Sequence, residues 1–380
     1  AMYNAEFLSH YYAGRIRPRH AYAIGYIHRW AGLASHFPQL ANFFGHAPLL
    51  GSLAKLAAGI SRHRELPPFA DETFKSWHAR TRRRRVPPAS VNGGDGEKPQ
   101  VILWADTFNN YFHPPVAQAA VEVLEAAGCA VRVPRRNLCC GRPLYDYGML
   151  DSAKRLLDET IETLRAPIRA GIPIVVLEPS CAAVFRDELV NLYPHDEDAK
   201  RLSRQTFLLS EFLDKELPEY HPPSLHRKAI VHGHCHHRAI MTMESEKRVL
   251  DKMGLDYNLL DSGCCGMAGG FGFEKEHYEL SVNVGEHVLL PAVRKASDET
   301  LIIANGFSCR EQILQTTERR ALHLAEVLQM ALRGDGSSAD EAQAASAGED
   351  RNRATVAVLA ASAALVAGGI LLEEWVRRRA

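Results

Sequence analysis

The chain has 380 residues, of which 46% are hydrophobic and 24% charged, a globular composition with enough length for two or more domains. Lysine and arginine together number 45, as do aspartate and glutamate, so the overall charge does not favour a nucleic-acid partner. The eight cysteines are too few for a disulfide scaffold and are clustered, which favours metal or redox chemistry. The N-terminus contains arginines and no apolar core, so we expect no signal peptide and a reducing cytosol around the cysteines.

Residues 1–80 are predicted to form a helical N-terminal segment. Apolar residues recur there at helical spacings, and prolines such as Pro38 and Pro48 divide them into short helices. Residues 81–99 contain consecutive arginines and a proline- and glycine-rich run, which indicates a basic linker. Contact of these arginines with lipid headgroups or an acidic partner is the alternative.

From residue 100 onward, short apolar runs alternate with helical patterns, which predicts parallel strands flanked by helices. The first module, residues 100–225, has predicted strands at 101–104, 131–134 and 174–177 and helices at 116–127 and 151–170. The second module, residues 226–333, has predicted strands at 229–231, 257–260 and 301–303 and helices at 244–253 and 274–295. The predicted fold class is therefore α/β, with two repeated parallel-sheet cysteine-rich modules preceded by a helical segment.

The C-terminal part of the sequence differs from both modules. Residues 334–353 are rich in Ser, Ala, Gly and Asp and predict a flexible linker. Residues 354–372 carry no charge, and a helix of that length spans roughly 28 Å, close to the thickness of a bilayer core. Trp375 and three arginines follow, a pattern typical of a membrane interface. We expect a transmembrane or membrane-associated helix at the cytoplasmic side of the cell membrane, with an interfacial or disordered tail as the alternative.

The second module contains four cysteines that only a fold can gather: Cys235, Cys264, Cys265 and Cys309. We expect them at the carboxyl ends of strands, where open α/β sheets collect their ligand sites. Four converging thiolates suit an iron–sulfur cluster or zinc, and the adjacent pair can ligate different irons of one cluster. Gly266, Gly269 and Gly270 follow the pair and are predicted to bring backbone amides close to the cofactor. A nucleotide-binding glycine loop is the alternative for that stretch.

The first module has Cys139, Cys140 and Cys181 at equivalent places, with Asp106 where Cys235 stands in the second module. Three thiolates and a carboxylate predict a weaker second metal site. Cys129 lies apart from these positions and is predicted to be a buried small apolar residue. Four histidines surround Cys235 and are interpreted either as donors near the cofactor and surface groups or as zinc ligands. These histidines are His232, His234, His236 and His237.

Two phrases of the sequence make a resemblance specific: Leu138-Cys139-Cys140-Gly141-Arg142-Pro143-Leu144-Tyr145-Asp146 and His232-Gly233-His234-Cys235-His236-His237. They resemble the tandem Cys-Cys-Gly cysteine-rich domain of heterodisulfide reductase and of the glycolate oxidase iron–sulfur subunit. They look most like the C-terminal part of fused FAD-linked oxidase/iron–sulfur dehydrogenases, which act on 2-hydroxy acids. In those proteins a segment like residues 5–12 follows the last ferredoxin-type cluster, so we expect the chain to start just downstream of the flavin and ferredoxin parts.

The resemblance implies an iron–sulfur electron-transfer component, with a 4Fe-4S type cluster at the four cysteines of the second module. FAD would belong to a flavin dehydrogenase partner or a missing N-terminal region, so the chain alone would not be a complete enzyme. Electrons would pass toward a membrane quinone acceptor. The fullest family pattern ends each repeat in Cys-x-x-Cys, whereas here Val184 and Gln312 stand in the last position. A zinc-stabilised, non-redox binding or scaffold module is the alternative function.

Overall fold

The computed structural model describes residues 2–84 and 98–334. Its first part confirms the predicted helical N-terminal segment and contains six helices in these described residues. They are α1 (Met2–Tyr11), α2 (Arg19–Gly25), α3 (Ile27–Ala34), α4 (Pro38–His46), α5 (Pro48–Ala58) and α6 (Phe74–Arg84). Pro38 and Pro48 occupy the first turn of α4 and α5, where a missing N–H costs no hydrogen bond. Most of the predicted basic linker, the second linker and the predicted membrane helix at 354–372 lie outside the described residues.

The first module folds around a parallel sheet of four strands in the order β2-β1-β3-β4. The strands are β1 (Gln100–Trp104), β2 (Ala130–Arg132), β3 (Ile174–Val176) and β4 (Thr206–Leu208). The helices are α7 (Thr107–Tyr111), α8 (Pro114–Ala126), α9 (Arg142–Asp146), α10 (Leu150–Arg169), α11 (Pro179–Ala183), α12 (Leu189–Leu192), α13 (Glu197–Gln205) and α14 (Leu209–Glu211). Val184–Glu188 and Phe212–Glu216 form π-helical turns.

Strand β4 was not predicted from the sequence. It contains three residues and follows directly on the polar helix α13, so its apolar run, Phe207-Leu208-Leu209, is too short to predict a strand. It forms because its backbone pairs in parallel with β3, with Ile174 opposite Thr206 and Val176 opposite Leu208.

The second module has a parallel sheet of three strands in the order β6-β5-β7. The strands are β5 (Lys228–His232), β6 (Asp256–Leu260) and β7 (Leu301–Ala304). The helices are α15 (Glu244–Lys252), α16 (Tyr278–Glu286), α17 (Leu289–Lys295), α18 (Phe307–Thr317) and α19 (Leu324–Arg333). His237–Met241 forms a π-helical turn and Phe271–Phe273 a short 3₁₀ turn.

The single helix predicted at 274–295 is wrong in its extent. The structure begins α16 at Tyr278, ends it at Glu286 and starts a separate helix α17 at Leu289. Pro291 explains the break, because its ring would clash with the carbonyl of residue 287 in a continuous helix and it has no N–H to donate.

The two modules share one hydrophobic core. Val101 and Leu103 of β1 belong to the same buried cluster as Val231 of β5 and Ile303 of β7. The last helix, α19, crosses back onto α8 of the first module, and Gln329 donates a hydrogen bond of 2.9 Å to Glu122 there. The shared core and the packing of α19 on α8 hold the carboxyl ends of the two sheets in fixed positions relative to each other.

Candidate metal centre and adjoining cavity

The four cysteines of the second module come together as a continuous series of contacts. The thiol of Cys235 is hydrogen-bonded to Cys264, Cys264 to its neighbour Cys265, and Cys265 to Cys309. These hydrogen bonds lower the pKa of Cys264 and of Cys309 and raise the pKa of the two donors, Cys235 and Cys265. The four thiols therefore lie next to one another in one group, and cysteine binds a metal in its thiolate form.

The parallel sheet explains why residues so distant in sequence meet. Cys235 follows β5, the Cys264–Cys265 pair follows β6, and Cys309 lies in the first turn of α18 after β7. All three strands run in the same direction, so their carboxyl ends lie at one edge of the sheet. The structure thus brings together all four predicted ligands of this site, and their role as ligands remains a prediction.

His232 lies beside two of these thiols. Its Nδ1 lies 2.6 Å from the hydroxyl of Ser262, while its buried Nε2 has no hydrogen-bond partner. One of its ring nitrogens lies within 4.8 Å of the sulfurs of Cys265 and Cys309. Four neighbouring thiols, two of them buried, and an imidazole nitrogen without a hydrogen-bond partner fit a metal centre better than they fit an ordinary core.

Two further histidines adjoin Cys235. Ligand atoms of His234, Cys235 and His236 lie within 4.8 Å of one another. Burial lowers the pKa of His236 to about 3 and that of His237 to about 4. Both of these rings are therefore neutral at physiological pH, a state in which an imidazole can bind a metal or donate one N–H.

The glycines after the cysteine pair have distinct roles. Gly266 has a φ of +90°, donates its N–H to the sulfur of Cys264 at 3.3 Å, and leaves no room for a Cβ, which would lie 2.0 Å from the carbonyl oxygen of Ser281. Its amide thus lies at the cysteine site, and its contact with a cofactor remains a prediction. Gly269 and Gly270 line a neighbouring cavity instead.

The first module brings three thiols together, but its fourth predicted ligand, the carboxylate of Asp106, accepts hydrogen bonds at the start of a helix. The sulfurs of Cys140 and Cys181 lie 3.0 Å apart, and Cys139 is hydrogen-bonded to Cys140. Asp106 caps α7: its Oδ1 accepts the N–H groups of Phe108 and Asn109, and its Oδ2 accepts the side-chain amide of Asn109 at 2.8 Å. Burial raises the pKa of Asp106 to about 6. The first site therefore has fewer free donors than the second, and the weaker metal site predicted there remains a prediction.

Cys129 is buried in the shared hydrophobic core, away from both cysteine sites. Its position agrees with the prediction of a small apolar residue at the start of a strand. All eight cysteines belong to the described residues, and each is a free thiol there.

A cavity of about 760 Å³ lies between the two modules and the N-terminal helices. Cys139, Cys140 and Cys181 of the first site line one part of its wall, and Cys235 of the second site lines another. Residues of α1, α2 and α3 close the far side. No local sequence pattern predicts this cavity, because each wall comes from a different region of the chain.

The family model for the CCG cysteine-rich domain matches residues 106–186 and 230–313, one copy in each module. Lactate utilization protein A of Bacillus subtilis is 30% identical over 243 residues, which cover 60% of this chain and 98% of that protein. The chain belongs to the CCG cysteine-rich domain family.

Two further relatives extend beyond the CCG copies. A subunit of the anaerobic glycerol-3-phosphate dehydrogenase of Escherichia coli is 28% identical over 323 residues, which cover 78% of each chain. D-2-hydroxyglutarate dehydrogenase of Pseudomonas putida is 26% identical over 330 residues, which cover 86% of this chain and 32% of that protein. The similarity to a dehydrogenase and to a dehydrogenase subunit supports an oxidoreductase role for the CCG modules of this chain.

Among residues 2–84 and 98–334, no helix combines the length and the apolar character that crossing a membrane requires. The predicted membrane helix at 354–372 lies outside these ranges and remains a prediction.

Proposed function

We propose that the chain is the iron–sulfur electron-transfer component of a flavin-linked dehydrogenase. The observation that carries the proposal is the contact series of Cys235, Cys264, Cys265 and Cys309, which come from three strand ends and adjoin an unpaired imidazole. A 4Fe-4S type cluster bound by these thiolates would accept and release single electrons. The chain itself would contribute the four sulfurs, the Gly266 amide and the burial of Cys265 and Cys309.

The relatives support a flavin dehydrogenase as the electron donor. One is named as a dehydrogenase subunit, and another is a dehydrogenase of which this chain matches only 32%. We assign the FAD and the substrate site to a partner chain or to a region outside this sequence. Lactate and 2-hydroxyglutarate, which two of the relatives are named for, are 2-hydroxy acids, and we propose that class as the donor's substrate.

An anaerobic reductive titration of the purified chain tests the proposal. Dithionite should bleach a visible absorbance and produce a paramagnetic signal in electron paramagnetic resonance, because an iron–sulfur cluster changes its oxidation state. The alternative zinc-stabilised scaffold predicts a colourless protein that takes up no electrons, since zinc has no redox chemistry in proteins. That result, with zinc in stoichiometric amount, would reject electron transfer.

We further propose that the protein attaches to the cytoplasmic side of the cell membrane and passes its electrons to a membrane quinone. The described residues expose 18 large apolar side chains, and 14 of these lie in residues 3–56, within the N-terminal helices and their connections. Residues 2–58 contain five lysines and arginines and one acidic residue, Glu6. An exposed apolar surface with a positive charge fits the interface of an anionic bilayer.

Vesicle flotation distinguishes attachment through this N-terminal surface from attachment through the predicted helix at 354–372. The full chain should float with vesicles that contain anionic lipid and much less with purely zwitterionic ones. Leu49→Ser combined with Leu53→Ser should reduce flotation, because both side chains are exposed on α5, at 74% and 54%. Unchanged flotation of this variant, together with its loss on removal of residues 354–380, would assign attachment to the C-terminal segment alone.

A further inference from the structure

The cavity between the cysteine sites and the N-terminal helices has walls suited to a flat, apolar molecule. Its volume of about 760 Å³ is within the range of small-molecule sites. Aromatic rings form much of the lining, among them Trp30, Phe108, Phe112 and Phe307. The rings of Phe108 and Phe307 stack with centroids 4.4 Å apart and join the two modules at this wall.

The charged side chains of the described lining already have partners. Arg17 donates to the carbonyl oxygens of Tyr147 and Gly148, and Arg142 is paired with both Asp146 and Glu188. Glu178 accepts hydrogen bonds from Ser180 and from the N–H of Phe307. The lining contains the two guanidinium groups of Arg17 and Arg142 and three carboxylates, those of Asp146, Glu178 and Glu274, so the cavity disfavours a carboxylate or phosphate ligand and suits an uncharged one.

Electrons can reach the cavity from the cysteine side. Cys235 belongs to the four-thiol site and also lines the cavity, so a centre held there lies against the cavity wall. His234 and His236 line the same part. A ligand in the cavity is therefore placed to receive electrons from this centre.

A group of proton-carrying side chains also lines the cavity. The buried carboxylate of Glu274 accepts a hydrogen bond of 2.9 Å from the hydroxyl of Tyr147, and it lies 2.8 Å from Nδ1 of His277 and 3.5 Å from Nε2 of His20. All four side chains line the cavity. The rings of His20 and His277 are 23% and 38% exposed, so the group can exchange protons with solvent. Burial and the neighbouring Glu274 raise the pKa of Tyr147, which keeps its hydroxyl protonated.

We propose that the cavity binds the head group of a quinone-class acceptor and that the Glu274 group supplies its protons. This inference rests on the proposed electron-transfer function and adds the site and the proton donors. One quinone takes two electrons, delivered singly from the centre at Cys235, and two protons from the group of Glu274, His20, His277 and Tyr147, to give one hydroquinone. Each delivery oxidises the centre by one electron, which the flavin partner replaces, and solvent returns the protons through the two histidines. A quinone is apolar and uncharged, which suits the aromatic walls of the cavity. It also takes up both electrons, for which Cys235 is placed, and protons, which the Glu274 group carries.

Stopped-flow oxidation of the full chain tests the proposal with menadione as the probe. The anaerobic chain is reduced with dithionite, freed of excess reductant and mixed either with menadione or with ferricyanide, which takes one electron and no proton. Each reduced chain carries one electron, so two chains reduce one menadione to its hydroquinone. Glu274→Gln should slow oxidation by menadione by about a hundredfold, the scale of lost acid–base catalysis, because the carboxylate that passes protons from His20 and His277 is gone, and it should leave oxidation by ferricyanide unchanged. Tyr147→Phe should slow the menadione reaction by about tenfold, and Glu274→Asp should recover part of the rate. Glu276→Gln, an exposed neighbour outside the cavity lining, is the matched control.

Binding is measured separately by calorimetry with a quinone-site inhibitor of the hydroxyquinoline N-oxide class, which this reaction does not reduce. Ala23→Phe introduces a ring into the cavity from α2, away from the cysteines, and should weaken binding by more than about tenfold with an unchanged visible spectrum. If the reduced chain reacts with ferricyanide but neither binds the inhibitor nor reacts with menadione, the cavity proposal is rejected and electron transfer stands. If dithionite reduces nothing, the proposed function itself fails. Equal slowing of both oxidants by Glu274→Gln would also reject the proton-donor role.

Discussion

The two cysteine sites of this protein are built on the same module, and the structure shows how they differ. In the second module four thiols form a continuous series of contacts, and His232 has an unpaired nitrogen beside them. In the first, three thiols remain and the oxygens of Asp106, at the fourth position, accept hydrogen bonds at the N-terminus of α7. Asp106 therefore stabilises the fold at the position where the second module has Cys235. We propose that the second site holds the electron-carrying centre and that the first contributes mainly to the cavity wall.

The largest expected difference is in metal content. Cys265→Ser should remove nearly all metal from the second site, because it breaks the contacts to both Cys264 and Cys309. Cys140→Ser, the matched change in the first module, should leave the iron content close to that of the unmodified chain. Iron, sulfide and zinc analysis after anaerobic purification provides the measurement. Equal losses from the two variants would show that the two sites bind metal equally, which would contradict this difference.

A second prediction concerns Glu246, which lies where the modules join. It accepts a hydrogen bond of 2.8 Å from Asn305 of the second module and lies beside Ser210 of the first. Burial raises its pKa from 4.5 to about 7, so the folded protein holds this proton where the unfolded chain has lost it. The free energy of unfolding should therefore fall as the pH rises from about 4.5 to about 7, by up to about 3 kcal/mol from this group.

Urea unfolding at pH 5 and pH 8 measures this effect. Glu246→Gln should flatten the pH dependence, whereas Glu244→Gln, an exposed change on the same helix, should not. A pH dependence that persists unchanged in Glu246→Gln would mean that another buried group sets the stability of the junction.

A third prediction concerns the cations beside the two sites. Arg64 is fully buried, donates to the carbonyl of Gly272 and the hydroxyl of Ser281, and has no carboxylate within ion-pair distance among the described residues. Its charge acts on Cys265, whereas Arg142 beside Cys140 is neutralised by two carboxylates. Arg64→Gln should lower the reduction potential of the centre by tens of millivolts, because a nearby positive charge favours the reduced state. Redox titration measures the shift, and an unchanged potential in Arg64→Gln would contradict this effect.

The smallest effect is expected at Asp106. Asp106→Ala should cost about 1 kcal/mol of stability through the lost cap of α7, whereas Asp106→Asn should retain the cap. Neither change should alter the iron content. Loss of metal in Asp106→Asn, at unchanged thermal stability, would instead identify this carboxylate as a ligand.

The parts of this account that could be predicted from the sequence depend on short patterns. Apolar runs and helical spacings located six of the seven described strands, and the Cys-Cys-Gly phrases located both copies of the module. Strand β4 was missed because three residues carry no periodicity, and Pro291 was not recognised as a break between α16 and α17. The capping role of Asp106 was readable in principle, since Asp is a common N-cap, but its place in the motif suggested a ligand.

The cavity could not be predicted, because its chemistry arises from contacts between distant segments. Tyr147 and Glu274 are 127 residues apart, and His20 joins them from the N-terminal helices. None of the three belongs to a local motif. Only the shared core of the two modules, with α2 packed above it, places their side chains together.

Anomalous diffraction from anaerobically grown crystals tests the central claim most directly, because it identifies the metal and its position in one experiment. Data collected above the iron edge should show a strong peak among the sulfurs of Cys235, Cys264, Cys265 and Cys309, and a weaker peak or none beside Cys139, Cys140 and Cys181. Data above the zinc edge should add no peak specific to zinc. Zinc alone among the four thiols of the second module, or iron only in the first module, would contradict the account.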